Sequence, residues 1–183
     1  MLDVSSINLM KAISFSVRKH AEQKRKYTFE PYVCHCLSVV QELMRFNAGE
    51  PCYSAAILHD TIEDTDTTYE DIEKEFGTVI ADIVLELTDP PLSVGNRAAR
   101  KEITKERLKT ASWYAKTIKY ADIIDNISSI VDHDPQFAKL FLSEIGEIYP
   151  EMKGGDDVLY TKLGTVINEA EIRLIHQSLH PVR

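Results

Sequence analysis

Residues 55–65 read Ala55-Ala56-Ile57-Leu58-His59-Asp60-Thr61-Ile62-Glu63-Asp64-Thr65. The first part of this stretch is apolar on every face of a helix, which predicts a helix buried all round and central to the fold. The second part delivers His59, Asp60, Glu63 and Asp64 within six positions. A carboxylate carried into the interior by such a helix costs several kcal/mol unless a cation or a dense set of hydrogen bonds receives it. If the helix continues, Asp60 and Asp64 lie one turn apart, as do His59 and Glu63. That spacing separates metal-facing from solvent-facing roles.

The flanking segments also read as helices. Pro51 opens the central helix. Pro31 starts the one before it, whose apolar side is Cys36, Val39, Val40, Leu43 and Phe46 and whose end is marked by Gly49. Ser5 or Ser6 caps a first helix running to about Ala21, with Ile7, Met10, Ile13, Ser14 and Val17 on its apolar face. Gln23-Lys24-Arg25-Lys26 and a short loop follow. Downstream, a capping box pairs Thr67 with Glu70 or Thr68 with Asp71, and Gly77 supplies a left-handed stop after Phe76. A short helix to Leu87, a loop over 89–96 and an exposed charged helix from Arg97 to Lys109 come next. Then come an apolar helix from Trp113 to Val131 and a restart at Asp134-Pro135 running to Tyr149. A turn at Lys153-Gly154-Gly155 leads into a last helix from Asp156 to Leu179. No segment alternates over five or more residues. With seven Gly and seven Pro in 183 residues, breakers are scarce. The expected class is all-α, one domain over 1–183.

The charge balance is acidic, 21 Lys+Arg against 29 Asp+Glu, net −8. This argues against a partner that is a nucleic-acid polymer. It leaves room for a small phosphorylated ligand, because a local cation reverses the field inside a cleft. No apolar run reaches the roughly 18–20 residues that span a bilayer, so no membrane partner is expected. Residues 1–10 lack a basic, signal-like start. Cys34, Cys36 and Cys52 form no CxxC pair and read as reduced thiols, which sets a cytoplasmic expectation. Cys34 and Cys36 do not share a helix face across His35, so they read as packing residues rather than zinc ligands. Composition says nothing of the oligomeric state.

A second stretch repeats the buried-charge pattern. Isoleucines surround Asp122 in Ile118-Lys119-Tyr120-Ala121-Asp122-Ile123-Ile124-Asp125-Asn126-Ile127, and Lys119, Asp122 and Asn126 form one polar stripe. The stripe is either a Lys119–Asp122 ion pair with a capped Asn126, or functional. His35 alone, on an apolar helix, reads as a hydrogen-bonded core residue. Together His35, His59, Asp60 and Asp122 make a two-imidazole, two-carboxylate set suited to Mn²⁺, Fe²⁺ or Zn²⁺, with positions left for water and a phosphate oxygen. His20, His133, His176 and His180 lack such company and read as surface or packing residues.

The ordered pattern His35, His59-Asp60, Asp122 resembles that of the HD-domain phosphohydrolases. Four finer matches look like their alarmone hydrolase branch, the hydrolase domain of RelA/SpoT proteins and its small stand-alone relatives. These are Glu30-Pro31-Tyr32-x-x-His35, the 55–65 segment, Phe76-Gly77, and Lys119-x-Ala121-Asp122-x-x-x-Asn126. The resemblance covers about residues 5–131; residues 132–183 match only in being helical. No synthetase region is present, so the stand-alone form is the nearer match. The resemblance implies an HD-domain helical bundle with one Mn²⁺ at His35, His59, Asp60 and Asp122. It implies a water oriented or activated by Glu63 and Asp64, and removal of the 3′-pyrophosphate from guanosine tetra- or pentaphosphate. Arg25 and Lys26 fall where the family places basic residues that stack on the base or hold phosphate, although a solvated helix end reads the same way. Asn126 closes the last motif and joins them as an expected substrate contact.

Two departures bear on the substrate. Tyr27-Thr28-Phe29 replaces a small, polar, Gly-containing loop. Ile123-Ile124-Asp125-Asn126 stands where relatives usually carry Lys-Leu-Tyr-Asn, so Asp125 either adds charge near the phosphate or faces away. Two other readings therefore stand beside the leading one. One is an HD phosphohydrolase of another nucleotide, such as an adenosine alarmone or a phosphorylated dinucleotide. The other is a non-catalytic nucleotide sensor, against which the intact residue set argues.

Overall fold

The apolar half of the 55–65 stretch lies in α3 (Cys52–Leu58), in which every residue but Tyr53 is buried. A computed structural model describes the backbone of residues 4–179 and the side chains of 7–179; the reading of His180 lies outside them. The helix packs against α1 (Val4–Lys19), α2 (Val33–Arg45), α6 (Thr78–Leu87) and α8 (Trp113–His133). A helix enclosed on so many sides needs apolar residues on all its faces, which is what the sequence supplies. Around this centre run α4 (Thr61–Asp64), α5 (Tyr69–Phe76), α7 (Arg97–Thr110), α9 (Pro135–Ile148) and α10 (Asp157–Leu179). Short 3₁₀ turns occupy Leu92–Val94 and Tyr149–Met152. Among the described residues there is no strand, only an isolated bridge between Lys24 and Pro31. No described helix is long and apolar enough to cross a membrane. The fold is an all-α bundle. Both α9 and α10 pack on α8, so the C-terminal helices share its core.

The long middle helix α8 joins the two halves. It touches α2, α3 and α6 on one side and α9 and α10 on the other. The turn before α10 is tied to it by polar contacts. The Gly155 N–H donates to the Tyr120 hydroxyl (3.1 Å), which in turn donates to the Met152 carbonyl. The Asp156 N–H donates to Thr117 Oγ1 at 2.9 Å.

Several local expectations shift. The first helix begins at Val4, so Ser5 and Ser6 lie inside it rather than at its cap, and it ends at Lys19. Its buried face is Ala12, Phe15 and Ser16, while Ile7, Met10 and Val17 are exposed. Apolar residues occupy more than one stripe of this helix, and the stripe with small Ala12 and Ser16 gives the closest approach to α3. The second helix starts at Val33, because Pro31 is held in the bridge to Lys24, and stops at Arg45. The central helix stops at Leu58; His59 and Asp60 form a turn into α4. The Asp64 N–H still bonds the Asp60 carbonyl at 2.9 Å, which keeps these two one turn apart. The capping box that forms is Thr68 with Asp71. Gly77 has φ 88° and ψ 161°, a pairing outside the left-handed helical region and open only to glycine, and it ends α5 and begins α6 at one residue.

Gly155 sits where a Cβ would come within 2.7 Å of Tyr120 Cε2 and 2.9 Å of the Thr117 backbone nitrogen. Gly155→Ala is expected to destabilise the protein by about 1–3 kcal/mol through overpacking. A lowered urea midpoint with an unchanged slope checks it.

Candidate active site

Three helices deliver four side chains to one point. His35 comes from the first turn of α2, His59 and Asp60 from the turn after α3, and Asp122 from the middle of α8. His35 Nε2 lies 3.2 Å from Asp122 Oδ1 and 3.6 Å from Asp60 Oδ2. His59 Nε2 lies 3.1 Å from Asp60 Oδ2 and 3.8 Å from Asp122 Oδ1. Ligand atoms of His35, His59 and Asp60 all fall within 4.8 Å of one another.

The tautomers follow from the other ring nitrogens. His59 Nδ1–H donates to the Ala56 carbonyl at 2.8 Å, and His35 Nδ1–H donates to Asp125 at 2.7 Å. Each neutral ring therefore turns an Nε2 lone pair toward two carboxylates, and His59 Nε2 is buried without a hydrogen-bond partner. Lone pairs facing carboxylates repel. The arrangement requires positive charge at its centre, either ring protons or a cation. A divalent ion held by mixed imidazole and carboxylate donors fits the requirement.

The ionisation equilibria express the same demand. Burial opposes charge on His35, but hydrogen bonds to Asp122 and Asp125 outweigh it and lift its pKa to about 9. Burial likewise opposes charge on His59, yet Asp60 and Asp122 raise its pKa well above the ordinary value. Burial would raise Asp60 and Asp122; the histidines hold Asp60 low, and Lys119 with the histidines holds Asp122 low. Lys119 Nζ is 2.9 Å from Asp122 Oδ2, and Asn126 Nδ2 donates to Oδ1 at 2.6 Å. The ion pair and the histidine contacts are thus made at once: one carboxylate serves both readings of the polar stripe.

Glu63 and Asp64 lie at the solvent side of this group. Glu63 accepts from the Asp89 N–H at 3.0 Å. Desolvation of its carboxyl, then the Asp89 charge, raises its pKa above the usual carboxylate value. Asp64 accepts from Gln23 Nε2 at 2.8 Å, and Gln23 in turn accepts from His20 Nδ1 at 2.6 Å. His20 is buried, in line with Asp64; His133 stacks on Tyr27 at 5.7 Å; His176 is exposed. Arg25, Lys26 and Asn126 all line a cavity of about 270 Å³, together with Tyr27, Tyr32, His35, Ile130 and Phe137. Their cations are not idle. Arg25 is bound to Asp125, and Lys26 lies 3.5 Å from Asp134. A larger apolar groove of about 580 Å³ between α9 and α10 contains none of these residues.

Four residues that the sequence had not assigned to the site touch it. The Tyr32 hydroxyl donates to Asp60 Oδ2 at 2.6 Å; Asp125 backs His35; Gln23 and His20 back Asp64. Tyr32 and Asp125 stand three residues from His35 and Asp122, so helical spacing contained a signal for both. Nothing local marked Gln23 or His20. Cys36 is buried and Cys34 partly buried; the three cysteines are free.

Residues 12–155 match the model of the HD domain family. A guanosine-3′,5′-bis(diphosphate) 3′-pyrophosphohydrolase of Drosophila melanogaster is 34% identical over 138 residues, covering 74% of this chain and 76% of that protein. One of the same activity from Aquifex aeolicus is 34% identical over 146 residues, 77% of this chain, but the match spans only 20% of that longer protein. A solved structure, described as a metazoan ortholog of SpoT that hydrolyses ppGpp, superposes with TM-score 0.82 at 29% identity, over 92% of this chain and 98% of that one.

A histidine raised to about 9 when folded stabilises the metal-free protein fully below its unfolded value near 6.5, and that contribution is lost as pH rises through 9. The melting temperature of metal-stripped protein is expected to fall between pH 6.5 and 9, by the equivalent of up to about 3 kcal/mol. His35→Gln is expected to flatten the fall, and thermal melts across that range check both.

Proposed function

The chain belongs to the HD domain family, and from that membership we propose that it is a stand-alone 3′-pyrophosphohydrolase of guanosine tetra- and pentaphosphate alarmones, with Mn²⁺ as its working ion. Its family and its relatives named as pyrophosphohydrolases make the chain a metal-dependent nucleotide hydrolase. The single observation that supports the site is the pair of Nε2 lone pairs turned toward Asp60 and Asp122 in a buried space. His35, His59, Asp60 and Asp122 would hold the ion. Fe²⁺ and Zn²⁺ suit the same donors. When bound, such an ion supplies charge to phosphate oxygens and makes a water more acidic.

The remaining work falls to this chain's own groups. Glu63, whose pKa is raised first by desolvation and then by the Asp89 charge, takes or gives the proton of the attacking water. Asp64, fixed by Gln23, orients the attacking water. Arg25, Lys26 and Asn126 line the cavity beside the ion site, where the nucleoside end of the substrate is expected to lodge. A cytoplasmic setting suits three free thiols.

The test is a nucleotide panel with Mn²⁺: guanosine tetraphosphate, its adenosine counterpart and a phosphorylated dinucleotide, scored for pyrophosphate against phosphate. Pyrophosphate from the guanosine compound is expected. Metal-loaded protein that releases none from any 3′-pyrophosphorylated nucleotide overturns the reading. Pyrophosphate from the adenosine compound alone moves the substrate and keeps the chemistry.

The roles divide further by substitution. Asp60→Ala is expected to abolish both metal binding and turnover. Glu63→Ala is expected to keep the metal and slow turnover by about 10²–10⁴. Metal content and initial rates, measured together, separate the two; equal metal loss from both variants contradicts the division.

A further inference from the structure

Asp125 is a carboxylate with two different obligations. Its Oδ2 accepts from His35 Nδ1 at 2.7 Å and from Arg25 Nη1. Both partners are largely buried, with side-chain exposures of 2% for His35 and 13% for Arg25; Asp125 itself is 18% exposed. Arg25 lies 100 residues away in sequence, on the wall of the cavity, and His35 faces the opposite way, toward Asp60 and Asp122. One oxygen therefore connects the cavity wall to the ion site. A carboxylate behind an imidazole fixes which nitrogen carries the proton and raises the basicity of the other.

Resting on the reading of His35 as a metal ligand, we propose that Asp125 is a positioning residue that sets the His35 tautomer for metal binding and anchors Arg25 at the cavity wall. It acts through its two neighbours and touches neither ion nor substrate. Removing the acceptor frees the His35 ring to rotate or to protonate Nε2, and either withdraws the lone pair from the site. Removing only the charge leaves the ring held and releases Arg25.

Two variants and one spectrum test this. Asp125→Leu is expected to weaken Mn²⁺ binding about 10- to 100-fold, measured by competition with a chelator. Asp125→Asn keeps an acceptor oxygen for Nδ1–H and is expected to hold Mn²⁺ affinity within about fivefold of wild type. Its KM for guanosine tetraphosphate should rise more than its kcat falls, because Arg25 has lost its ionic anchor. Nitrogen NMR of the Zn²⁺-loaded wild-type imidazoles should show His35 protonated at Nδ1, and this readout stands even if the leucine variant does not fold. Wild-type Mn²⁺ affinity in a folded Asp125→Leu overturns the proposal, as does His35 protonated at Nε2. An asparagine variant as weak for Mn²⁺ as the leucine variant overturns the tautomer role; an unchanged KM in it overturns the Arg25 role. Metal affinity and the NMR spectrum need no nucleotide. An inactive wild-type protein would thus sink the proposed reaction and leave Asp125 standing, whereas normal metal binding without Asp125 would sink this inference alone.

Discussion

The constraint on which this fold turns is the meeting of two carboxylates and two imidazoles at a place nearly closed to water. Asp122 sits mid-way along α8, flanked by buried Ala121 and Ile123. Left alone there, its charge would cost several kcal/mol. It is not left alone: Lys119, Asn126 and His35 each approach one of its oxygens. Lys119 and Asn126 reach it along α8 itself, whereas the imidazoles depend on where other helices lie. α2 must bring His35 down to α8, and α3 must end where His59 and Asp60 can turn toward it.

That dependence explains why α3 stops where it does. An unbroken helix through Asp60 would satisfy backbone hydrogen bonds equally well. The turn at His59 and Asp60 instead lets the His59 ring bond back to Ala56 while its Nε2 faces Asp122 on α8 and Asp60 reaches His35 and Tyr32. The backbone resumes at once in α4, so Glu63 and Asp64 stay within one turn of the buried pair. The polar chain continues outward: Tyr32 to Asp60, Gln23 and His20 to Asp64, Asp125 behind His35. A network so nearly satisfied specifies one arrangement of helices more sharply than apolar packing, which tolerates substitution and repacking.

The legible parts of the sequence were those whose signal is local. Apolar periodicity gave the centre of α3 and α8, Pro135 and Gly77 gave boundaries, and a His-Asp step at the end of a buried segment marked the site. The illegible parts are those decided by a partner. Helix α1 is apolar on more than one face, and the approach of α3, with Phe76 of α5 against Phe15, selected Ala12, Phe15 and Ser16 over Met10 and Val17. Two capping boxes overlapped at Thr67 and Thr68, and the loop geometry chose between them. Gln23 and His20 read as ordinary polar residues because their partner, Asp64, lies 41 positions beyond Gln23. Asp125 looked like a departure from a motif, and its meaning came from Arg25, which no spacing rule connects to it.

The acidic balance of the chain acquires a local meaning from these pairings. The cations nearest the site are each already engaged by a carboxylate: Arg25 by Asp125, Lys119 by Asp122, Lys101 by Asp89 at 3.3 Å, and Lys26 by Asp134. A polyphosphate arriving there would meet ion pairs instead of free positive charge, so attraction has to come from elsewhere. The protonated histidines of the metal-free state offer charge, but only while their lone pairs are occupied. A divalent ion would offer the same two charges gathered at one point, with those protons free to leave. On the proposed function, the carboxylates that make the protein acidic would repel polyanions at long range and, through the cation His35, His59, Asp60 and Asp122 would hold, draw a small polyphosphate at short range.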